Sequence, residues 1–274
     1  PTNALALTYL GDAQARAGQR SDARSSFAQA LRLDPGQRYA GMSLFAMQVD
    51  EQLFDSAKAT LELLRASCEP AAVLPREILL ACRRGTAKIA EEKLAELCLL
   101  PEADAEALGE AARQMRLAGW AGKVERVFHD AASREGVNPA LGSVWISLHV
   151  GTRAAREASR VLDRLASTGA MATGAACTFL DLAVEQRRRS LVQRILRRYG
   201  LLFRSTDRSW GTAGYALSRL GEHARAVAWL SDWQARAGVQ PWMLWNLVIS
   251  LRSEGNDAEA ARVTRHLLTL PPDP

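Results

Sequence analysis

The chain has 274 residues, of which 48% are apolar and 24% are charged, and these proportions are typical of a folded protein that is soluble in water. No stretch approaches the roughly 18 consecutive apolar residues of a membrane-spanning helix, and the first residues lack a basic and then apolar signal sequence. The net charge of +5 is uneven, since residues 1 to 137 carry −2 and residues 138 to 274 carry +7. Disordered and membrane-inserted classes of protein are therefore excluded. We expect a cytoplasmic protein, or a periplasmic one if a signal peptide has been removed.

An apolar pattern with a period of 34 residues begins near the N-terminus. Ala23, Phe27 and Ala30 have the spacing i, i+4 and i+7, which places them on one face of a helix. The same pattern returns at Ala57/Leu61/Leu64, Ala90/Leu94/Leu97, Val124/Phe128/Ala131, Ala158/Leu162/Leu165, Val192/Leu196/Tyr199, Ala226/Leu230/Trp233 and Ala260/Thr264/Leu267. Eight occurrences predict eight helices that each bury one apolar stripe.

Another helix is predicted before each stripe, so we expect about sixteen helices in pairs. The predicted pairs begin near residues 4, 38, 72, 105, 139, 173, 207 and 241. The third interval is one residue short, and we place the deletion in the turn of the third pair, because Leu79 keeps the earlier phase and Ala90 the later one.

Glycine and proline mark the predicted ends of these helices. A glycine near the end of a first helix fits a left-handed residue that terminates the helix, as at Gly18, Gly85, Gly119, Gly221 and Gly255. Proline suits the start of a helix and disfavours the helical state before it, so the dipeptides that end in Pro35, Pro139 and Pro241 separate one pair from the next.

The first helix of each pair also needs a small residue where the second helix crosses it closely. Leu10-Gly11, Ala111-Ala112 and Ala213-Gly214 meet this requirement. In the other pairs the small residue is replaced by Phe45, Leu79, Ile146, Leu180 or Val248. We interpret these five pairs as degenerate.

A period of 34 residues with a Leu-Gly start, an internal Ala, and then Phe and Pro is typical of the tetratricopeptide repeat (TPR). The chain resembles that family through Leu7, Leu10, Gly11, Ala23, Phe27, Ala30 and Pro35, and again through Trp210, Ala213, Gly214, Ala226 and Leu230. The resemblance implies an all-α fold, a right-handed superhelical solenoid of antiparallel helix pairs whose first helices line a concave groove. We expect residues 1–274 to form a single TPR-like solenoid that is a segment of a longer chain.

The resemblance also implies which first-helix residues face the groove. The predicted partner-binding residues are Arg113, Arg116, Arg208, Tyr215, Arg219, Trp242, Trp245, Asn246 and Arg252, and their N-terminal counterparts are Thr8, Asp12, Met42, Asp50, Arg76 and Arg83. Arg, Tyr and Trp are frequent in binding hot spots, and amide and guanidinium groups bind extended peptides or a terminal carboxylate. Alternatively, Trp242 and Trp245 cover the apolar face of the last helices. The family's paired Lys and Asn clamp is not reproduced, which argues against a receptor for chaperone tails.

Arginines are dense between Arg187 and Arg208, where only Asp207 opposes them. Such a cluster suits phosphate or an acidic partner. However, Leu191, Ile195 and Leu196 supply the buried stripe of a second helix, so we expect most of these arginines to face solvent on the convex side.

No catalytic, metal-binding or cofactor-binding motif is present in the sequence. The four histidines lack a partner at metal-ligand spacing, no nucleophile motif occurs, and the four widely spaced cysteines form no C-x-x-C pair. We interpret the cysteines as buried free thiols in a reducing compartment.

These patterns favour a non-catalytic scaffold that binds a protein or peptide, possibly an acidic one, in its concave groove. The alternative is the recognition arm of a larger enzyme that modifies proteins or handles polysaccharide, with catalysis outside this segment. RNA binding is disfavoured by the 34-residue period. The sequence leaves the oligomeric state open.

Overall fold

The computed structural model describes residues 3–149, 155–168 and 171–271. These residues contain sixteen α-helices, one short 3-10 helix and no β-strand. The predicted all-α architecture of paired helices is therefore confirmed. The chain divides into two compact units, Pro1–Asn138 and Pro139–Pro274.

The first unit consists of four consecutive helix pairs. Its helices are α1 (Ala4–Arg16), α2 (Arg20–Leu33), α3 (Arg38–Asp50), α4 (Phe54–Ser67), α5 (Pro70–Arg84), α6 (Ala87–Leu97), α7 (Ala105–Leu117) and α8 (Ala121–Ala132). Each helix packs on the one that follows it in the chain. Because short turns join the two helices of each pair, these helices run antiparallel.

The second unit repeats this arrangement. Its helices are α9 (Leu141–Ser147), α10 (Ala155–Thr168), α11 (Ala172–Glu185), α12 (Arg189–Arg204), α13 (Asp207–Arg219), α14 (His223–Leu230), a 3-10 helix (Trp233–Ala235), α15 (Pro241–Ser253) and α16 (Asp257–Leu267). Successive α-helices again pack on one another, and the first helices α9, α11, α13 and α15 also form a row in which neighbours are in contact.

The repeated apolar stripe is buried in every second helix from α2 to α12. The prediction is wrong in one detail, because α14 ends at Leu230 and Trp233 lies on the 3-10 helix. The indole of Trp233 is nevertheless buried. The stripe is incomplete in α16, where Thr264 and Leu267 are partly exposed.

In four of the pairs, the two helices pack closely at a glycine that occupies one of two places in the first helix. In α1 this residue is Gly11, where an added Cβ would lie 2.8 Å from the Phe27 ring. In α3, Phe45 occupies the place of Gly11, and the small residue is Gly41, one helical turn earlier. A Cβ at Gly41 would lie 2.5 Å from the Leu64 side chain.

In the second unit, too, a large and a small residue are exchanged between these two places of a first helix. In α9, Ile146 occupies the place of Gly11, and a Cβ at Gly142, one turn earlier, would lie 3.2 Å from Leu165. In α13 the small residue returns to its original place, since a Cβ at Gly214 would lie 2.4 Å from Leu230. Residues four apart lie on the same helix face, so either position admits the second helix. In the pairs with Phe45 and Ile146, which we interpreted as degenerate, the small residue therefore lies one turn earlier in the first helix.

A left-handed residue follows the first helix in most pairs. The predicted glycines Gly18, Gly85, Gly119, Gly221 and Gly255 all have φ between 72° and 84°. In two other pairs the same place is occupied by Gln52, with φ of 61°, and Arg187, with φ of 53°. Gly85 caps its helix directly, whereas Ala17 separates α1 from Gly18. The left-handed glycine thus follows α5 one residue sooner than it follows α1. This difference places the one-residue deletion at the end of α5, in the turn of the third pair.

The first unit ends on a buried asparagine. The backbone N–H of Asn138 donates to the carbonyl of Cys98 at 2.9 Å. Its side-chain amide donates to the carbonyls of Ala103, at 2.6 Å, and Leu100. These bonds hold the segment between α6 and α7 against the end of the unit.

Overpacking should destabilise the pair formed by α13 and α14. We expect Gly214→Leu to lower the free energy of unfolding by roughly 1 to 3 kcal/mol, because the new side chain meets Leu230. Urea unfolding followed by circular dichroism measures the change. Gly122→Leu in α8 is the matched control, since a Cβ there has no neighbour within 4 Å. Equal stability of the two variants would contradict the packing described above.

Strain at the left-handed position should be relieved by glycine. We expect Gln52→Gly to raise the free energy of unfolding by about 0.5 to 1 kcal/mol, because a residue with a Cβ is disfavoured at positive φ. The reciprocal change, Gly18→Gln, should lower stability by a similar amount. Thermal and urea unfolding of both variants test the pair, and a loss of stability in Gln52→Gly would oppose the explanation.

Candidate functional site

The row of first helices in the second unit forms an extended surface. α11 contacts α13, and α13 contacts α15. Helices packed in this way lie about 8 to 10 Å apart. We call the exposed faces of α11, α13 and α15 the first-helix surface.

α13 contributes one stripe to this surface. Arg208, Tyr215 and Arg219 are all exposed, and their spacing of seven and four residues places them on one side of the helix. The opposite side, which includes Trp210 and Ala213, is buried. The structure therefore brings together the three residues predicted for this helix.

α15 contributes residues of two kinds. Trp245 is 53% exposed, and Arg252 is exposed as well. Trp242 is half-buried: a Cβ at Gly211 would lie 2.8 Å from its ring, and its indole N–H donates to Gln240 at 2.7 Å. This packing agrees with the alternative that Trp242 covers the preceding helix, whereas Trp245 has the exposure of a binding residue.

Asn246 lies on the same helix and is also half-buried. Its side-chain amide donates to the backbone carbonyl of Trp242 at 2.7 Å. One amide N–H is thus engaged within α15.

α11 gives one edge of the surface an acidic character. Asp181 and Glu185 are one turn apart, and burial together with the charge of Glu185 raises the pKa of Asp181. Burial also raises the pKa of the Cys177 thiol to about 11, while Thr212 and Arg208 of α13 act in the opposite direction. Cys177 therefore lies next to the arginine end of α13, and carboxylates and guanidinium groups share this part of the surface.

Three arginines of the surface are available for a ligand. Within the described residues, no carboxylate lies in ion-pairing distance of Arg208, Arg219 or Arg252, since their side chains form none of the ion pairs found there. By contrast, the guanidinium group of Arg236 bonds to both Asp207, at 3.0 Å, and Asp232, at 3.2 Å.

The two remaining predicted residues belong to the first unit, on α7, where both have carboxylate partners. Arg113 pairs with Glu110 at 2.8 Å, and Arg116 approaches Glu125 of α8 at 3.9 Å. Two of the N-terminal counterparts are also engaged with neighbouring side chains. Asp12 accepts a hydrogen bond from Tyr39 at 2.8 Å, and Asp50 pairs with Arg20 at 3.3 Å.

A polar network behind the surface fixes α13, and sequence analysis missed it. The indole N–H of Trp210 donates to Asp232 at 2.9 Å, and that of Trp229 donates to the carbonyl of Trp210 at 3.0 Å. The Arg236 guanidinium lies 4.6 Å from the centre of the Trp210 ring. Because Asp232 is held in this way, the chain leaves the helical path after α14, which explains the 3-10 helix. Of the residues in this network, only Trp210 was among those that carry the resemblance to the repeat family.

The arginine-rich segment divides into paired and unpaired side chains. Arg189 pairs with Glu222 at 3.2 Å, Arg198 pairs with Asp163 through two bonds, and Arg204 pairs with Asp232 at 3.2 Å and stacks on Trp229. Other members, including Arg194 and Arg197, are exposed on α12. No large apolar side chain beside them on α12 is exposed except Leu201, so this face lacks the exposed aromatic side chains of the first-helix surface.

The described residues contain no group of three or more His, Cys, Asp or Glu residues that suits a metal ion. Of the four free cysteines, only Cys98 is fully buried, which corrects the prediction of four buried thiols. Cys68, Cys82 and Cys177 sit at helix positions that remain partly open to solvent. Among the helices described, none has the length and apolar character needed to cross a membrane.

Solved structures include chains that are similar to this one. No protein-family model and no curated protein matches the chain. A solved structure of the P58(IPK) TPR domain aligns with 96% of this chain and 92% of its own, at 15% sequence identity and a TM-score of 0.36. A score this low supports neither a shared function nor a shared binding site.

Proposed function

We propose that this protein is a non-catalytic, TPR-like interaction scaffold that binds an acidic peptide segment of a partner protein on the first-helix surface. In this proposal, the first-helix surface of the second unit is the concave groove that holds the partner. The observation that carries the proposal is the presence of unpaired arginines beside exposed aromatic rings on α13 and α15.

The side chains of this surface suit a peptide that presents both carboxylates and apolar groups. Each guanidinium group offers a planar set of donors that matches a carboxylate, and such charged hydrogen bonds are stronger than neutral ones. Tyr215 and Trp245 supply rigid apolar area, as hot-spot residues do. A segment that places a carboxylate over Arg219 or Arg252 and an apolar side chain over the rings uses all of these groups.

The acidic edge limits which ligands are suitable. Asp181 and Glu185 lie on α11, which packs on α13, so a uniformly anionic chain that also covers α11 would meet like charges there. A nucleic-acid backbone carries regularly spaced phosphates along its length and therefore fits this surface poorly. A peptide whose acidic residues are confined to the part over α13 and α15 avoids the conflict.

Selection from a random peptide display library tests the ligand class. We expect the peptides that bind the wild-type protein to be enriched in Asp and Glu next to apolar residues. Changing Arg219→Glu and Arg252→Glu together should weaken their binding at least about tenfold, because charge-assisted contacts are replaced by repulsion. Fluorescence anisotropy with the selected peptides measures the loss.

The matched control carries the same change of charge on another helix. Arg194→Glu with Arg197→Glu alters two exposed arginines of α12 and should change the affinity only slightly, since salt screens distant charges. An equal loss in both double variants would indicate non-specific electrostatic binding and contradict the proposed site. Failure to select any acidic peptide would contradict the ligand class.

A further inference from the structure

The exposed face of α12 is strongly positive. Residues 186–204 include seven arginines and neither Asp nor Glu. Three of these arginines have the carboxylate partners described above. The other four are exposed and form none of the ion pairs found among the described residues, and they are Arg187, Arg188, Arg194 and Arg197. This face therefore carries charge that an anionic partner can neutralise.

The unpaired arginines within α12 lie along one side of the helix. Ser190, Arg194 and Arg197 are spaced by four and three residues, so they share a face, and all three are exposed. The opposite face is held in the core by buried side chains such as Val192 and Ile195. The sixteen residues of α12 span about 24 Å. A stripe of this length on a fixed helix can lie against a flat surface.

The neighbouring second helix, α10, extends the positive charge. Its residues Arg156 and Arg160 are exposed and one turn apart. The two helices are joined through Asp163 of α10, which accepts two hydrogen bonds from Arg198 and one, at 2.6 Å, from the Tyr199 hydroxyl. The charge of this carboxylate is thus balanced by Arg198, and it does not offset the unpaired arginines.

An exposed apolar side chain lies beside these arginines. Leu201, one turn after Arg197, is 89% exposed, which is the highest value among the large apolar side chains of the described residues. The helix departs from regular geometry just before it, at Tyr199, where φ is −113° and ψ is 20°, and Phe203 just after it is buried. A partner that supplies hydrocarbon would remove the Leu201 side chain from water, which is favourable.

A cavity with an apolar floor opens between α12 and α14. Its volume is about 290 Å³, and it is lined by Leu196, Leu217, Ala228 and Trp229, with Arg204 and Arg225 beside them. Sites that bind small molecules combine apolar walls with a few polar groups in this way. The cavity therefore offers hydrocarbon contact next to guanidinium groups, as the end of α12 does at Leu201.

The apolar elements of this face distinguish between two uniformly anionic partners. The phosphates of a nucleic acid would satisfy the arginines, but its backbone supplies no hydrocarbon for Leu201 or the cavity. Single strands also stack their bases on aromatic rings, and the Trp229 ring is already covered by the Arg204 guanidinium at 4.3 Å. An anionic phospholipid bilayer supplies phosphate groups at its surface and acyl chains directly below them.

We propose that α12 docks this protein on the surface of an anionic phospholipid bilayer, with Arg194 and Arg197 against the lipid phosphates and Leu201 among the acyl chains. The contact is peripheral, because the buried face of α12 stays in the protein core. It uses none of the residues assigned to peptide binding on the first-helix surface, so either activity can fail without the other.

Co-sedimentation with phospholipid vesicles tests this docking. The protein should bind vesicles made of equal parts phosphatidylcholine and phosphatidylglycerol, less strongly as salt is added, and should not bind pure phosphatidylcholine. Arg194→Glu with Arg197→Glu should weaken the binding at least about tenfold, because each basic side chain near an anionic surface strengthens it several-fold. Leu201→Asp should also weaken it, whereas Leu201→Trp should strengthen it, since tryptophan favours the membrane interface.

A matched variant separates this contact from general attraction between opposite charges. Arg32→Glu with Arg134→Glu makes the same change of charge at two exposed arginines of the first unit and should bind the mixed vesicles as the wild type does. Circular dichroism confirms that each variant is folded. Equal losses in the two double variants, or vesicle binding that is unaffected by both Leu201 variants, would overturn the proposal. Binding of a fluorescently labelled RNA homopolymer without binding of vesicles would overturn it in favour of a nucleic acid.

Discussion

The rest of the structure depends on how closely two antiparallel helices approach within each pair. In the pairs that begin with α1, α3, α9 and α13, that approach uses a glycine of the first helix opposite a large residue of the second. Gly11 under Phe27 and Gly214 under Leu230 satisfy it at one place. Gly41 under Leu64 satisfies it one turn earlier. The constraint acts on the pair of positions, so the chain can exchange large and small residues between them and preserve the packing.

Much of the fold was predictable because its determinants are local. The buried stripes follow from residues four and three apart on one helix, and the turn glycines follow from backbone conformation. The exchange between Gly41 and Phe45 was not predicted, because it involves two positions one helical turn apart, and the repeat pattern has a small residue at only one of them. The end of α14 was not predictable either, since it depends on Asp232 reaching Trp210, more than twenty residues away.

In the candidate site, the exposed positions could be predicted from the sequence, but the contacts of their side chains could not. The resemblance to the repeat family, carried along the repeat register, implied the stripe of Arg208, Tyr215 and Arg219, and these side chains are exposed. It could not show that Arg116 approaches Glu125, or that the ring of Trp242 lies against Gly211, because such pairings depend on distances between helices. The exposed positions followed from the family resemblance and the repeat register, whereas which side chains lack a partner depends on the three-dimensional structure.

The buried asparagine at the end of the first unit has a chemical consequence. Asparagine deamidates when the backbone nitrogen of the following residue attacks the carbonyl carbon of its side-chain amide. This reaction needs an N–H at that nitrogen. The residue after Asn138 is Pro139, which has none. The side chain of Asn138, which holds the segment around Leu100 and Ala103, is thus protected from deamidation, the commonest spontaneous lesion of asparagine. Its hydrogen bonds should therefore persist longer than the side-chain amides of exposed asparagines.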